Sequence, residues 1–236
     1  MSATPSSRNN AHTAGQRLDP DDPAYAGQAA YTPFFLRYIY DPLVIRIQNR
    51  FTWRCPSKNI LDLYRRNVSE NHLDAGPGTG WYLRKCRFPG TRPGIHLLDV
   101  NSDVLSRAAE RIARHEPRCV QADLLKPLPL DKERFDSVAL VHVLHCLPGD
   151  IPEKAQVLDH LAPLLRPGGK LFGSTILSRG VPQTKLSRSQ LGYMNQLGVF
   201  ANEQDSLGDL DNALKERFDR YELHTRGNVA LFSITV

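Results

Sequence analysis

The segment His72–Leu83, HLDAGPGTGWYL, decides how the rest of the chain folds. It predicts a strand that closes on Asp74, followed by glycines at Gly76, Gly78 and Gly80 and then a helix. Glycine at such positions permits positive φ and lets a ligand approach the backbone, while the next helix starts with unpaired N–H groups. A strand–glycine loop–helix unit serves several nucleotide-binding folds, and Gly76-Pro77-Gly78 alone also suits a plain turn. The residues downstream must therefore choose.

Working towards the C-terminus, apolar strands alternate with helices. Strands are predicted at Gly94–Asp99, Cys119–Ala122, Ser137–Leu144 and Lys170–Ile176. The near-continuous apolar character of Ser137–Leu144 suits a strand buried on both faces of a parallel sheet. Between them, Asn101 or Ser102 can cap a helix with Val104, Leu105, Ala108 and Ile112 inward. Pro152 opens another, with Ala155, Leu158, Leu161 and Leu165 inward and a stop at Pro167-Gly168-Gly169. Leu207, Leu210, Leu214 and Phe218 recur at helical spacing behind a cap at Asp205 or Ser206. Tyr221–Val236 reads as two strands around Gly227-Asn228, an antiparallel edge. Such alternation predicts a doubly wound, mostly parallel α/β sheet. Two more strands would end on acids: Asp99, where a carboxylate can accept from ribose hydroxyls, and Asp123, followed by Leu124 and Leu125, which can cover an adenine face.

Working towards the N-terminus, residues 1–22 are rich in Ser, Asn, Ala and Pro and read as a flexible tail. From Tyr25 the composition turns aromatic: Tyr25, Tyr31, Phe34, Phe35, Tyr38, Tyr40, Phe51 and Trp53. Asp41-Pro42 predicts a capped start for a helix carrying Leu43, Val44, Ile47 and Phe51; a second helix from Ser57 carries Ile60, Leu61 and Tyr64. The expected organisation is one domain: a helical cap over 23–68, a core over 69–178, an insert over 179–204, and a C-terminal helix and strand pair over 205–236.

Bulk properties fit a single soluble domain. The chain has 236 residues, 41% of them hydrophobic, and carries a formal charge of +5 with a pI near 9.1. Its basic residues are dispersed rather than gathered into a tract with interleaved aromatics, which argues against nucleic acid as a partner. No apolar run is long enough for a membrane span and the N-terminus is polar, so a cytoplasmic protein is expected. The cysteines Cys55, Cys86, Cys119 and Cys146 lie far apart without metal-ligand spacing, so no metal site is expected.

In order, DAGPGTG, LLDVNSDVL, QADLL, FDSVALVHVLHCL and LLRPGGKL resemble the successive motifs of class I S-adenosylmethionine-dependent methyltransferases. The resemblance covers roughly His72 to Ile176, and GNVALFSI resembles that family's closing strand. It implies a seven-stranded sheet with one antiparallel strand and S-adenosyl-L-methionine as cofactor. It implies that Asp74 and the loop Gly76, Pro77, Gly78 and Gly80 hold the methionine moiety. Asp99, with Val100 and Asn101, would bind ribose; Asp123 and Leu124 would bind adenine; Val141 and His142 would meet the amino-acid end. An NAD dehydrogenase is the nearest rival, disfavoured because DAGPGTG departs from GxGxxG.

Methyl transfer is an in-line displacement at a sulfonium, so the protein mainly orients and desolvates the nucleophile. A phenol, thiol or ammonium must also lose a proton, and His142, His145 and Cys146 stand where a base would be placed. By the same resemblance, some small-molecule N-methyltransferases place a catalytic histidine at the position of His145, paired with an N-terminal tyrosine. Tyr31 is the expected partner, with Tyr40 behind it, and Tyr31, Phe35, Tyr40, His145 and Cys146 are the expected acceptor pocket. No [DN]PP[YF] motif follows the fourth strand, which argues against adenine amines and glutamine amides. A small organic acceptor of specialised metabolism, enclosed by the N-terminal cap and the Arg179–Asn202 insert, is the expected partner, taken by a monomer or homodimer. An RNA or protein methyltransferase and a non-methylating cofactor-binding protein remain open.

Overall fold

The computed structural model describes Gly27 and residues 30–236. The predicted tail and Tyr25 lie outside these residues. Five parallel strands form the centre of one sheet: β1 (Asn71–Ala75), β2 (Gly94–Asp99), β3 (Arg118–Gln121), β4 (Phe135–Val141) and β5 (Leu165–Ile176). Two more, β6 (Tyr221–Arg226) and β7 (Val229–Thr235), complete the order β3-β2-β1-β4-β5-β7-β6. The predicted antiparallel edge is this pair. Only β7 runs antiparallel to its neighbours; it sits between β5 and β6, because the hairpin at Gly227 folds β6 outward to the edge. The chain reverses between β1 and β4, and a crevice opens there beyond the strands' carboxyl ends.

Alternation along the strands sorts side chains between two apolar layers. Val138 and Leu140 of β4 pack with Leu158 and Leu161 of α5 (Gln156–Leu161) and Leu210 and Leu214 of α7 (Leu207–Arg217). Ala139 and Val141 pack on the other face, with Ile60, Leu63 and Tyr64 of α1 (Ser57–Asn67) and Leu105 and Ala108 of α3 (Ser102–Arg111). Each large side chain so buried contributes roughly 1.5–3 kcal/mol. α1 is therefore a layer of the sandwich, and the roof of the crevice falls to the helix before it.

That cap helix runs on through Phe35–Ile39 and Asp41–Thr52 with i→i+5 hydrogen bonds, as when Tyr40 N–H donates to Phe35 O and Trp53 N–H to Gln48 O. Asp41-Pro42 lies inside it and does not start it. The wide pitch turns Ile45, Asn49 and Thr52 inward and leaves Leu43, Ile47 and Phe51 exposed. Predicted caps hold at Asn101, whose side chain accepts from the N–H groups of Asp103 and Val104, and at Ser206, which accepts from Asp209 N–H. The RPGG segment is not a stop: it lies within β5, and Gly168 N–H donates to Val236 O at 2.6 Å. The helix predicted from Pro152 divides into α4 (Ile151–Lys154) and α5, with Asp150 as a capping box partner of Glu153. The insert carries a full helix, α6 (Lys185–Gln196), capped by Thr184. Among the described residues no helix is long and apolar enough to cross a membrane, and no group of metal-ligating side chains gathers.

Candidate active site

Two adjoining cavities lie at the carboxyl ends of the strands. The smaller, about 90 Å³, is framed by Asp99 and Val100 after β2, and by Ala122, Asp123 and Leu124 after β3. The larger, about 320 Å³, lies under the cap helix and α6. Tyr31, Tyr40, Gly76, Gly78, Val141 and His142 line both, so the two spaces meet at the glycine loop and the end of β4.

The loop is shaped by steric necessity. Gly76 has φ 73° and a Cβ there would come 2.3 Å from Val143 Cγ2; Gly78 has φ 54° and looks towards the Tyr40 hydroxyl. Gly80, by contrast, lines neither cavity. A Cβ on it would meet the Ala108 backbone at 3.1 Å, so its bare backbone lets α2 (Trp81–Lys85) pack on α3. Pro77 lines the larger cavity. Asp74 is fully buried beneath the loop, where Oδ2 accepts from Tyr64 Oη at 2.8 Å and Oδ1 has no partner.

Asp99 Oδ1 accepts from Asn101 N–H at 2.9 Å, and burial lifts its carboxyl from 3.8 to about 7. Asp123 is buried; Oδ1 accepts from Leu125 N–H at 2.9 Å, and Lys126 Nζ stands 3.5 Å from Oδ2. Leu124 faces the small cavity, whereas Leu125 packs against the core. Asn101 caps α3 and lines neither space. Two carboxylates at successive strand ends, a slot of Val100, Val104, Leu124 and Leu147, and an unpartnered Asp74 oxygen below the loop suit a nucleoside joined to a cationic amino-acid tail. These residues fit S-adenosyl-L-methionine.

The larger cavity is aromatic and uncharged. Tyr31, Phe35 and Tyr40 cluster with ring centroids 6.0–6.4 Å apart. Trp53, Tyr64, Tyr82, Tyr193 and Phe200 add further rings, and no Asp, Glu, Lys or Arg among the described residues lines it. Burial and the neighbouring Cys146 raise the Tyr31 phenol well above its usual range, and burial also raises Tyr40. Cys146 lies on the smaller cavity, with Sγ 4.0 Å from Tyr31 Oη; burial pushes its thiol up to about 12. Tyr31 and His145 line the same cavity without a hydrogen bond between them: Tyr31 Oη turns to Cys146 and His145 Nδ1 to β5.

His142 ends β4 in the left-handed region (φ 58°), a conformation uncommon for a side chain this large. Its ring nitrogens are buried without partners, and burial lowers its pKa to about 4. His145 is buried, with the Phe200 ring edge-on at 4.6 Å. The insert supplies the opposite wall through Gln190, Tyr193 and Met194 of α6 and the loop residues Leu197, Val199 and Phe200, none of which sequence reasoning named. Leu191 and Met194 at helical spacing behind the Thr184 cap were the available signal.

Comparison with known proteins agrees with this architecture. The family described as "Methyltransferase domain" matches residues 73–171. The chain is 39% identical to a demethylluteothin O-methyltransferase of Streptomyces thioluteus, over 90% of this chain and 92% of that one. It is 36% identical to a physcion biosynthesis cluster O-methyltransferase of Aspergillus chevalieri, over 89% and 95%. Its fold is similar to that of an N-methyltransferase of Bradyrhizobium japonicum WM9 solved with S-adenosyl-L-homocysteine (TM-score 0.59, 18% identity, 91% and 98% covered). The chain belongs to the class I S-adenosylmethionine-dependent methyltransferases.

Proposed function

We propose that this enzyme methylates a hydroxyl oxygen of a small aromatic or enolic acceptor without a cationic amine in specialised metabolism. The observation that carries this reading is the larger cavity, walled by aromatic and neutral side chains and joined to the carboxylate-framed cavity at Val141 and His142. A cationic amine would lose its hydration there with no carboxylate lining the space to replace it. A flat neutral ring gains from the aromatic walls. Both O-methyltransferase relatives point the same way.

In this reading Asp99 accepts from the ribose hydroxyls, Asp123 from the adenine amino group, and Asp74 holds the ammonium end beneath Gly76 and Gly78. S-adenosyl-L-methionine, when bound, supplies a methyl group on a sulfonium whose sulfur departs as a neutral thioether. The chain's own work is placement: Val141 and His142 mark the passage between the cavities, and Tyr31, Tyr40 and Phe35 hold the acceptor's plane. The cap helix and α6 exclude water, which sharpens every polar contact inside.

Turnover with labelled S-adenosyl-L-methionine tests the acceptor class, using neutral phenols and enols beside aliphatic amines, total RNA and total protein. Label in the hydroxyl compounds supports the reading. Label confined to amines, RNA or protein refutes it.

A further inference from the structure

Beyond its last pairing, Val141 with Ser174, β4 turns away from β5 at His142. His142 N–H still donates to Ser174 O at 2.8 Å. A continued parallel ladder would next employ the Ile176 N–H. That N–H donates instead to His145 Nδ1 at 3.3 Å, and Thr175 Oγ1 lies 3.4 Å from the same nitrogen. A backbone N–H can only donate, so Nδ1 must hold its lone pair there, and the proton of the neutral ring resides on Nε2. Because Nδ1 is turned into β5, the ring presents its opposite edge to the cavity that His145 lines.

We infer that His145 acts as a fixed Nε2–H donor to the acceptor's oxygen and not as the base that deprotonates it. The inference rests on the O-methylation reading and deepens it. An N–H donor bonds an oxyanion more strongly than a neutral hydroxyl, and more so where water is excluded. The substrate class is thus an acidic hydroxyl, such as an enol or phenol conjugated to an electron-withdrawing group, which gives its proton to water before entry. Its oxyanion then forms the O–CH₃ bond as the C–S bond breaks, the electron pair passing to sulfur. His145 keeps its proton throughout.

The surroundings hold this state across the working pH range. His142 faces His145 from the end of β4 with ring centroids 5.6 Å apart; Lys154 of α4, paired with Asp205, holds Ala201 O, and Ala201 N–H donates to His145 O. Burial, with both of these neighbours, places the His145 pKa well below its usual value, so the ring stays neutral. Tyr31, Tyr40, Tyr64 and Tyr82, which line the same cavity, hold their own protons.

Long-range ¹H–¹⁵N spectra, with His145 assigned through His145→Gln, read the tautomer directly. The expected result is Nε2–H without titration between about pH 6 and 9; an Nδ1–H tautomer, or titration in that range, overturns the inference. The second measurement follows the absorbance of 4-nitrophenol mixed with the cofactor-free protein. Wild type and His145→Gln, which keeps an N–H donor but cannot act as a base, are expected to lower its apparent pKa, and His145→Ala to abolish the shift. Turnover should follow the same order, with Gln within about tenfold of wild type and Ala about 10²–10³-fold down. Gln as inactive as Ala, or no nitrophenolate shift in wild type, overturns the donor role. If the tautomer and the shift are as expected but no hydroxyl is ever methylated, the O-methylation reading fails and the donor assignment stands.

Discussion

Thr79, in the middle of the glycine loop, donates its hydroxyl to Asp41 of the cap helix at 2.6 Å. Arg111, one residue short of the end of the α3 apolar stripe, closes the triangle: it meets Asp41 Oδ2 at 2.7 Å and Thr79 Oγ1 at 2.9 Å. The roof of the acceptor cavity and the glycine loop, whose Gly76 and Gly78 line both cavities, are therefore tied to the same guanidinium. Losing Asp41 should cost both. Asp41→Ala is expected to reduce stability by about 1.5–3 kcal/mol, the range for a hydrogen bond to a charged group. It should also weaken S-adenosyl-L-homocysteine binding and raise the acceptor KM. Denaturant unfolding and ligand titration check this; an acceptor KM unchanged beside normal cofactor binding would show that the clasp does not position the roof.

The glycines of one loop should fail in different ways. Gly78→Ala places a methyl towards Tyr40, 3.4 Å from its hydroxyl, where ligand must pass. Gly80→Ala presses on the Ala108 backbone at 3.1 Å instead. Both adopt positive φ, at a strain of about 1–3 kcal/mol each. Gly78→Ala is expected to lose cofactor affinity out of proportion to stability, and Gly80→Ala the reverse. Melting temperature and titration calorimetry on the pair separate them, and equal losses of both quantities in both variants would contradict the distinction.

Asp99 makes cofactor binding depend on pH. Burial raises its carboxyl from 3.8 to about 7, so the folded, ligand-free protein holds a proton that the unfolded chain releases. Its contribution to ligand-free stability therefore declines as pH rises from about 4 to about 7. Ribose hydroxyls donate to the carboxylate, so binding favours the ionised form. Affinity for S-adenosyl-L-homocysteine should rise by up to about tenfold per pH unit below 7 and level off above. Asp99→Asn should bind weakly and without this slope. A wild-type affinity that falls or stays flat over the same range would contradict the role given to Asp99.

A buried ion pair outside both cavities governs the shape of one of them. Lys154 Nζ donates to Asp205 Oδ2 at 2.7 Å and to Ala201 O at 2.7 Å, with both charged side chains fully buried. Asp205 O in turn accepts from Ser178 and Arg179 N–H, and Ala201 N–H donates to His145 O at 2.9 Å. These bonds press Phe200 onto His145. Lys154→Met strands a buried carboxylate and should cost roughly 3–5 kcal/mol, along with acceptor turnover. Adding Asp205→Leu should restore most of the stability, leaving mainly the orphaned Ala201 carbonyl. Unfolding of the two variants checks this, and a double variant no more stable than the single would contradict it.

Local signals in the sequence told most where one physical cause acts alone. Asp74, Asp99 and Asp123 are legible as strand ends because apolar runs stop at each, and Asn101 and Ser206 are legible as caps because short polar side chains precede helical stripes. Asp41 was misleading for the same reason: Asp-Pro carries a helix-start signal, but Arg111 and Thr79 hold the carboxylate within a longer helix. Asp205 offered a cap and instead neutralises Lys154 of a distant helix, a pairing no local pattern encodes. Pro167-Gly168-Gly169 looked like a stop because it ends a helical run, yet the backbone is already pairing as β5. The cofactor cavity, built from strand ends, was thus readable; of the acceptor cavity, the two covering elements were readable, but individual lining residues only on the aromatic N-terminal side.

Methyl transfer to an oxygen in the aromatic cavity has a direct spectroscopic signature. The most direct measurement is the ¹³C spectrum of the product formed from [methyl-¹³C]-S-adenosyl-L-methionine and a metabolite extract. One enriched O-methyl resonance on a small-molecule product, absent without enzyme, is expected. Enrichment in an N-methyl or C-methyl resonance, or in macromolecule alone, would contradict it.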